Sequence, residues 1–118
     1  MFGLAVRWSL DSAPVAASDR LRDYVTGTSL AAFTGMDGLR FKTWRQRPGE
    51  WFEGTYVFAT AAARDAFEVS FRHKAPTAPV TVLVGAPPSS IERFEVLAVA
   101  EGAAGFASGP GPGPELGA

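Results

Sequence analysis

Large apolar residues take every second position at the start of the chain. They run from Phe2 to Leu10, and small or polar residues lie between them. A period of two that includes valine and tryptophan is typical of a β-strand with one buried face. The pattern therefore predicts a strand over residues 2–10.

The spacing of apolar residues then changes to three and four. Leu21 and Val25 lie on one such stripe, in a helix that we expect from about Pro14 to about Phe33. Gly27 interrupts the stripe, and glycine is a poor helix former. We therefore expect the helix to be loosened at that point.

A second helical pattern begins after Thr60, whose hydroxyl can cap a helix N-terminus. Ala63 and Phe67 belong to an apolar repeat of four residues. This helix should end around residues 73–75, because prolines follow soon afterwards. The apolar patch at residues 80–84 is either a short helical turn or an irregular segment.

Two further strands and a turn separate the two helical patterns. Leu39–Arg47 is predicted to be a strand, and Pro48-Gly49 is a turn dipeptide that joins it to a second strand over Glu50–Thr60. Large apolar groups lie on both faces of the second strand, which indicates a sheet that is covered on both sides. A last alternating segment, Ser89–Glu101, predicts the final strand.

The predicted order β-α-β-β-α-β corresponds to the ferredoxin-like α+β fold, an antiparallel sheet with two helices on one face. Residues 1–101 would form one domain, and the Gly/Pro-rich residues 102–118 a disordered tail. Since helices cover one face of such a sheet, we expect a second copy of the chain to cover the other. The alternative is a monomer with a partly wet sheet face.

Composition narrows the classes of function. The 118 residues carry a net charge of -1, contain no cysteine and have one histidine. A nucleic-acid binder usually has a basic excess, so no nucleic-acid partner is expected. Disulfides and thiolate metal sites are excluded, and one subunit cannot supply two histidine ligands. No apolar stretch predicts a membrane span or a secretory leader, so we expect a cytoplasmic protein.

Three segments resemble a known family in their order and spacing. They are Gly38–Trp44, Glu53–Phe58 and Ile91–Val96, with an alanine-rich helix around Phe67 between the last two. Together they resemble the YdhR-type mono-oxygenase family of the dimeric α+β barrel superfamily, over roughly residues 2–101. The resemblance implies a homodimer whose two sheets form a shared barrel. It also implies kinship with cofactor-free oxygenases, cyclases and isomerases of aromatic or polyketide chemistry, but it carries no catalytic residue set.

His73 is the side chain whose ordinary pKa lies nearest neutrality. It falls near the end of the second helix, where it could serve as a general acid or base at the mouth of a pocket. The alternative is an exposed residue in the basic run Arg72-His73-Lys74. In the first reading, Arg72 would steady a substrate anion.

Aromatic residues with polar tips are candidates for binding a flat hydrophobic substrate. Tyr24 and Tyr56 would donate hydrogen bonds to substrate oxygens, and Trp44 would stack on a ring. Arg40 and Lys42 are predicted to lie on one face of the strand Leu39–Arg47 with Trp44, and Glu53 and Glu95 lie within other strands. An unpaired charge on a sheet that is covered on both sides is costly. These charged residues would pair across strands or between subunits, or Arg40 would bind an oxyanion.

Three functions of different classes follow. The first is a cofactor-independent mono-oxygenase that acts on an aromatic or polyketide-like molecule. The second is a cofactor-free cyclase or isomerase that uses the same cavity. The third is an accessory protein that binds a hydrophobic ligand without catalysis. We expect neither a cofactor nor a metal ion, because the sequence contains no dinucleotide-binding fingerprint and no cluster of metal ligands.

Overall fold

The computed structural model describes residues 1–107 and 109. The chain begins with strand β1 (Phe2–Ser9) and a helical segment made of α1 (Ala17–Tyr24), a π-helical turn (Val25–Ser29) and α2 (Leu30–Phe33). The later elements, in chain order, are strands β2 (Leu39–Arg47) and β3 (Trp51–Phe58), helix α3 (Ala61–Lys74), a 3₁₀ turn (Ala75–Thr77), helix α4 (Pro79–Val84) and strand β4 (Ser90–Glu95). Among the described residues, no helix combines the length and apolar character needed to cross a bilayer.

The four strands form one antiparallel sheet in the order β2-β3-β1-β4. The first and third strands of the chain lie in its centre, and the helices lie on one face, so the fold is ferredoxin-like. Leu4 and Val6 on β1 and Phe58 on β3 are almost fully buried beneath the helices. The core sits between this face of the sheet and α1, α3 and α4.

Local chemistry explains where the helices begin and loosen. Thr60 accepts a hydrogen bond on its Oγ1 from the backbone N–H of Ala63, 3.1 Å away, and so caps α3 as the sequence predicted. The first helix loosens into the π-helical turn around Gly27, also as predicted. Such turns are rare and often occur beside functional sites.

The last strand is shorter than the predicted Ser89–Glu101. In the sheet β4 pairs with β1, and their ladder runs from Arg7 opposite Ser90 to Phe2 opposite Glu95. Past this ladder, Met1 and Val96 exchange one more pair of backbone hydrogen bonds, of 3.0 and 3.4 Å, and the alternating residues that follow pair with no strand of the described residues. The predicted tail 102–118 is described as far as residue 107 and at 109, and its other positions lie outside the described residues.

A buried carboxylate ties three strands together on the sheet face away from the helices. Glu53 on β3 accepts hydrogen bonds from Arg7 on β1 at 3.0 Å and from Arg45 on β2 at 2.8 Å. Glu53 also accepts a hydrogen bond from the hydroxyl of Thr55. The Arg7 guanidinium lies over the ring of Trp51, 4.0 Å from its centroid. Glu53 therefore makes the expected cross-strand pairing with Arg7 and Arg45, whereas the ion pairs of the described residues include neither Arg40 nor Lys42.

Candidate functional site

A cavity of about 460 Å³ lies between the helices and the sheet. This volume is in the range of sites that bind small organic molecules. Strands supply one wall and helices the other. The residues that give the cavity its character are Tyr24, Ser29, Phe33, Lys42, Trp44, Gly54, Tyr56, Phe67, Phe71 and Lys74. Aromatic rings form the largest group among the described residues that line the cavity, so a flat apolar body fits the lining.

Lys42 places its ammonium group among aromatic rings at this cavity. Its Nζ lies 3.5 Å from the ring centroid of Phe33, 4.3 Å from that of Tyr56 and 4.5 Å from that of Trp44. The ion pairs among the described residues all use arginine as the cation, so none of them gives Lys42 a carboxylate partner.

Burial lowers the pKa of Lys42 from 10.5 to about 7, because the charged amine has lost water. The negative faces of the three rings act in the opposite direction and favour the ammonium form. Among the described residues Lys42 has no carboxylate in an ion pair that would restore the charged form, and its pKa stays below the usual value. Near neutral pH the amine therefore exchanges readily between its protonated and neutral forms.

Gly54 leaves the space into which Lys42 and Tyr56 extend. A Cβ atom at this position would lie 3.3 Å from Cε of Lys42 and 3.4 Å from the hydroxyl oxygen of Tyr56. The amine-bearing carbon and the phenol thus converge over the same point of the sheet. Burial, together with the nearby Tyr24, raises the pKa of Tyr56, so its hydroxyl stays protonated and can donate a hydrogen bond.

The π-helical turn helps to fix the position of Trp44. Nε1 of Trp44 donates a hydrogen bond to Oγ of Ser29, which lies in that turn, over 3.1 Å. Ser29 is buried, and the ring of Phe33 meets Trp44 edge to face at a centroid distance of 6.0 Å. Both contacts hold the indole at the cavity wall, where the sequence predicted it.

A larger hollow of about 810 Å³ adjoins the cavity at β2. Its lining includes Arg22, Arg40 and Phe106, and it shares Lys42 and Trp44 with the cavity. Arg40 lies at a register shift between Leu39 and Phe41, and its side chain is exposed. The predicted oxyanion ligand is therefore in the hollow rather than in the aromatic cavity. We place the candidate site in the smaller space, since the half-buried Lys42 and the phenols converge there.

The structure does not bring His73 or Arg72 into the cavity. His73 is exposed on α3 and is absent from the cavity lining. Arg72 donates a hydrogen bond from Nε to Glu68 over 2.8 Å. The same carboxylate accepts a 2.6 Å hydrogen bond from Arg93 on β4. Arg72 is thus held by a carboxylate of its own helix, which also links α3 to β4 through Arg93. An acid-base role for His73 stays a prediction without support from this geometry.

Of the predicted site residues, Tyr24, Trp44 and Tyr56 do meet at the cavity. The sequence did not identify Lys42 as a candidate catalytic residue, because its charge was expected to form an ion pair. The available signal was its position two residues before Trp44 in an alternating strand. A lysine on the helix-facing side of a sheet does not contribute to solubility, so it is a candidate functional residue.

Lys42 should make the stability of the protein depend on pH. The folded chain releases this proton at about pH 7 and the unfolded chain at about 10.5. Between these values the unfolded state binds more protons, so the free energy of unfolding should rise with pH, by at most about 1.4 kcal/mol per unit. Below pH 7 the full cost of burying the charge remains. In urea denaturation from pH 6 to 9.5, Lys42→Met should remove this rise, and an unchanged slope would contradict the assignment.

Within residues 1–107 and 109, no group of three or more His, Asp or Glu side chains is arranged to hold a metal ion. A search of protein families and a search of curated proteins find no match to the chain. Among solved structures, the chain is similar to the crystal structure of NE2512, a protein of unknown function from Nitrosomonas europaea. The TM-score is 0.61 at 22% sequence identity, over 86% of this chain and 94% of that one. This likeness shows a shared α+β fold.

Proposed function

We propose that this protein is a small cofactor-independent enzyme that removes a proton from a hydrophobic aromatic or polyketide-like molecule. The observation that carries the proposal is the Lys42 amine, which lies among Phe33, Trp44 and Tyr56 at a cavity and has a pKa of about 7. A general base works best when its pKa lies near the operating pH. Here burial supplies that tuning.

The neighbouring groups complete an acid-base site. Neutral Lys42 takes a proton from a carbon next to a carbonyl or from a phenol, and becomes an ammonium ion. The resulting oxyanion lies against the Tyr56 hydroxyl, which stays protonated and donates a hydrogen bond to it. The aromatic lining keeps water away from the anion, which strengthens both interactions. Trp44, held by Ser29, supplies a flat wall for a substrate ring.

Two reactions begin with this step. In mono-oxygenation, the first choice, the substrate carbanion formed from a CH2 group reacts with dioxygen to give a hydroperoxide after protonation. The O–O bond then breaks with loss of the remaining hydrogen, so that the CH2 group becomes C=O and the second oxygen atom leaves as water. In cyclisation or isomerisation, the anion attacks or is reprotonated within the same molecule. The cavity needs no bound redox group for either course, since the substrate itself is the electron donor in the first. Oxygen uptake distinguishes the two.

The experiment follows proton removal directly. The protein is incubated with 2-tetralone, an aromatic ketone with acidic protons next to the carbonyl, in deuterated buffer at pD 7.5. We expect deuterium incorporation, observed by proton NMR, well above the rate in buffer alone. Saturable binding of 2-tetralone, measured by tryptophan fluorescence, without faster exchange would contradict catalysis and leave a ligand-binding protein. An oxygen electrode in the same samples reports oxygenation.

We also propose that the protein is a homodimer that packs through the sheet face away from the helices. Phe41 and Thr43 are exposed on this face beside the Glu53 cluster, and no helix of the described residues crosses it. At micromolar concentration, light scattering should give twice the 12.4 kDa mass of one chain. Thr43→Glu, which places a charge on this face, should shift the mass toward one chain. A wild-type mass of 12.4 kDa would contradict the dimer.

A further inference from the structure

Lys42 has a second chemical capacity besides proton removal. A neutral primary amine is a nucleophile toward carbonyl carbon, and lysines in apolar pockets are activated by loss of water. In this protein the Nζ atom lies within 3.5–4.5 Å of three ring centroids, at a cavity large enough for a small organic ligand. A ligand carbonyl that lies against these rings would be next to the amine.

The surroundings of the amine suit condensation with a carbonyl. Within the described part of the chain, every ion pair joins a carboxylate to an arginine, and none includes Lys42. The Tyr56 hydroxyl and Cε of Lys42 meet over Gly54, where a side chain would fill the space that both use. A protonated phenol that shares this space with Lys42 can donate a hydrogen bond to the carbonyl oxygen and later assist its departure as water.

We propose that Lys42 forms an imine with an aldehyde or ketone group of the hydrophobic ligand. The amine nitrogen bonds to the carbonyl carbon, the carbonyl oxygen accepts a proton, and a carbinolamine results. Loss of that hydroxyl with the remaining amine proton releases one water molecule and leaves a C=N bond. No oxidant or reductant takes part. The inference rests on the proposed function, in which the same cavity binds the same ligand, and it narrows the substrate class to carbonyl compounds.

The composition of the chain makes this step easy to test. The sequence contains two lysines, Lys42 and Lys74. Lys74 also borders the cavity, but its side chain is exposed. It is therefore a matched amine, near in space and different in burial. An ordinary lysine in water is neutral in roughly one molecule of 2,500 at pH 7, whereas about half of a population with pKa 7 is neutral.

The experiment treats the full chain with cinnamaldehyde and sodium cyanoborohydride, which reduces an imine to a stable secondary amine. Intact mass and peptide mapping then measure the adduct at each lysine. We expect labelling at Lys42 at least about tenfold faster than at Lys74 at pH 7, with a pH midpoint near 7. The other ionisable groups that border the amine are Tyr24, Tyr56 and Lys74 in the cavity and Arg22, Arg40 and Arg45 in the adjoining hollow.

Two variants sharpen the result. Lys42→Arg keeps a cation but should lose the cavity adduct, and Lys74→Arg should still label at Lys42. If Lys42→Arg does not fold, the ratio of labelling at Lys42 to labelling at Lys74 in the wild-type protein still tests the imine. Equal labelling of both lysines, or faster labelling of Lys74, overturns the imine. If the protein still catalyses deuterium exchange into 2-tetralone in that case, proton removal stands and only the imine is contradicted. If it shows neither exchange nor selective labelling of Lys42, both proposals are contradicted.

Discussion

Replacing Lys42 by methionine is expected to slow deuterium exchange into 2-tetralone by about a hundredfold to ten-thousandfold, the usual range for a positioned general base. Methionine keeps the length and apolar body of the side chain and removes the amine. It should still lie against Phe33 and Trp44, since thioethers pack well on aromatic rings. The cavity and its affinity for the ketone should therefore survive, and the loss should appear in the rate rather than in binding.

Two comparison variants separate this assignment from its competitors. Arg47→Met makes the same change of cation to methionine on the same strand, but Arg47 is 66% exposed and pairs with Glu50. This variant should catalyse deuterium exchange into 2-tetralone at the wild-type rate. His73→Ala tests the acid-base residue that the sequence pointed to. A large loss in His73→Ala with full activity in Lys42→Met would move the site to the end of α3 and contradict the cavity assignment.

The second large effect concerns stability. Glu53→Gln should lower the free energy of unfolding by about 2 kcal/mol, because a neutral amide replaces a carboxylate that two arginines bind. The loss stays moderate, since the side chains of Arg7 and Arg45 are 35% and 59% exposed and regain water. The thermal midpoint should fall by roughly 8–10 °C. Glu50→Gln, the same change in an exposed pair of the same hairpin, should cost no more than about 0.5 kcal/mol.

The Glu53 effect should also depend on pH. Burial alone would raise the pKa of this carboxyl, but hydrogen bonds from Arg45 and Arg7 outweigh burial and hold the pKa below 4.5. A carboxylate with a lowered folded pKa stabilises the protein above its unfolded pKa, and the contribution is lost as pH falls through the folded value. In urea denaturation the gap between wild type and Glu53→Gln should be full at pH 6 and shrink below about pH 4. A gap that stays constant down to pH 2.5 would contradict the charge-based account.

The fold was accessible from the sequence because strong local signals agreed with one another. Alternation marked β1, the Pro48-Gly49 dipeptide marked the hairpin, and Thr60 marked the start of α3. The end of the last strand was not accessible. Apolar alternation continues after Glu95. The strand ends there because its ladder with β1 ends there, and the length of that ladder depends on β1 rather than on the residues that follow Glu95.

The candidate site was only half accessible for a related reason. Strict alternation assigns Leu39 and Lys42 to opposite faces, yet they lie opposite Phe58 and Tyr56, which share the helix-facing side. A register shift between Leu39 and Phe41 makes this possible, and no residue type announces it. Sequence spacing therefore grouped Arg40 with Lys42 and Trp44, although only the latter two share the helix-facing side. The spacing of Lys42 and Trp44 indicates that shared face, but it does not show that packed helices desolvate the amine and lower its pKa.

The wall that holds Lys42 and Trp44 is the edge of the sheet. Strand β2 is hydrogen-bonded to β3 alone, whereas β1 and β3 each have two neighbours. Brief separation of an edge strand breaks one ladder and leaves the rest of the sheet intact, so such strands open at a lower free-energy cost than central ones. In this protein, transient separation of β2 from β3 would widen the cavity on its β2 side. The rate at which a large ligand comes and goes would then be set by the edge strand, and by the arginine pairs of Glu53 that hold it closed.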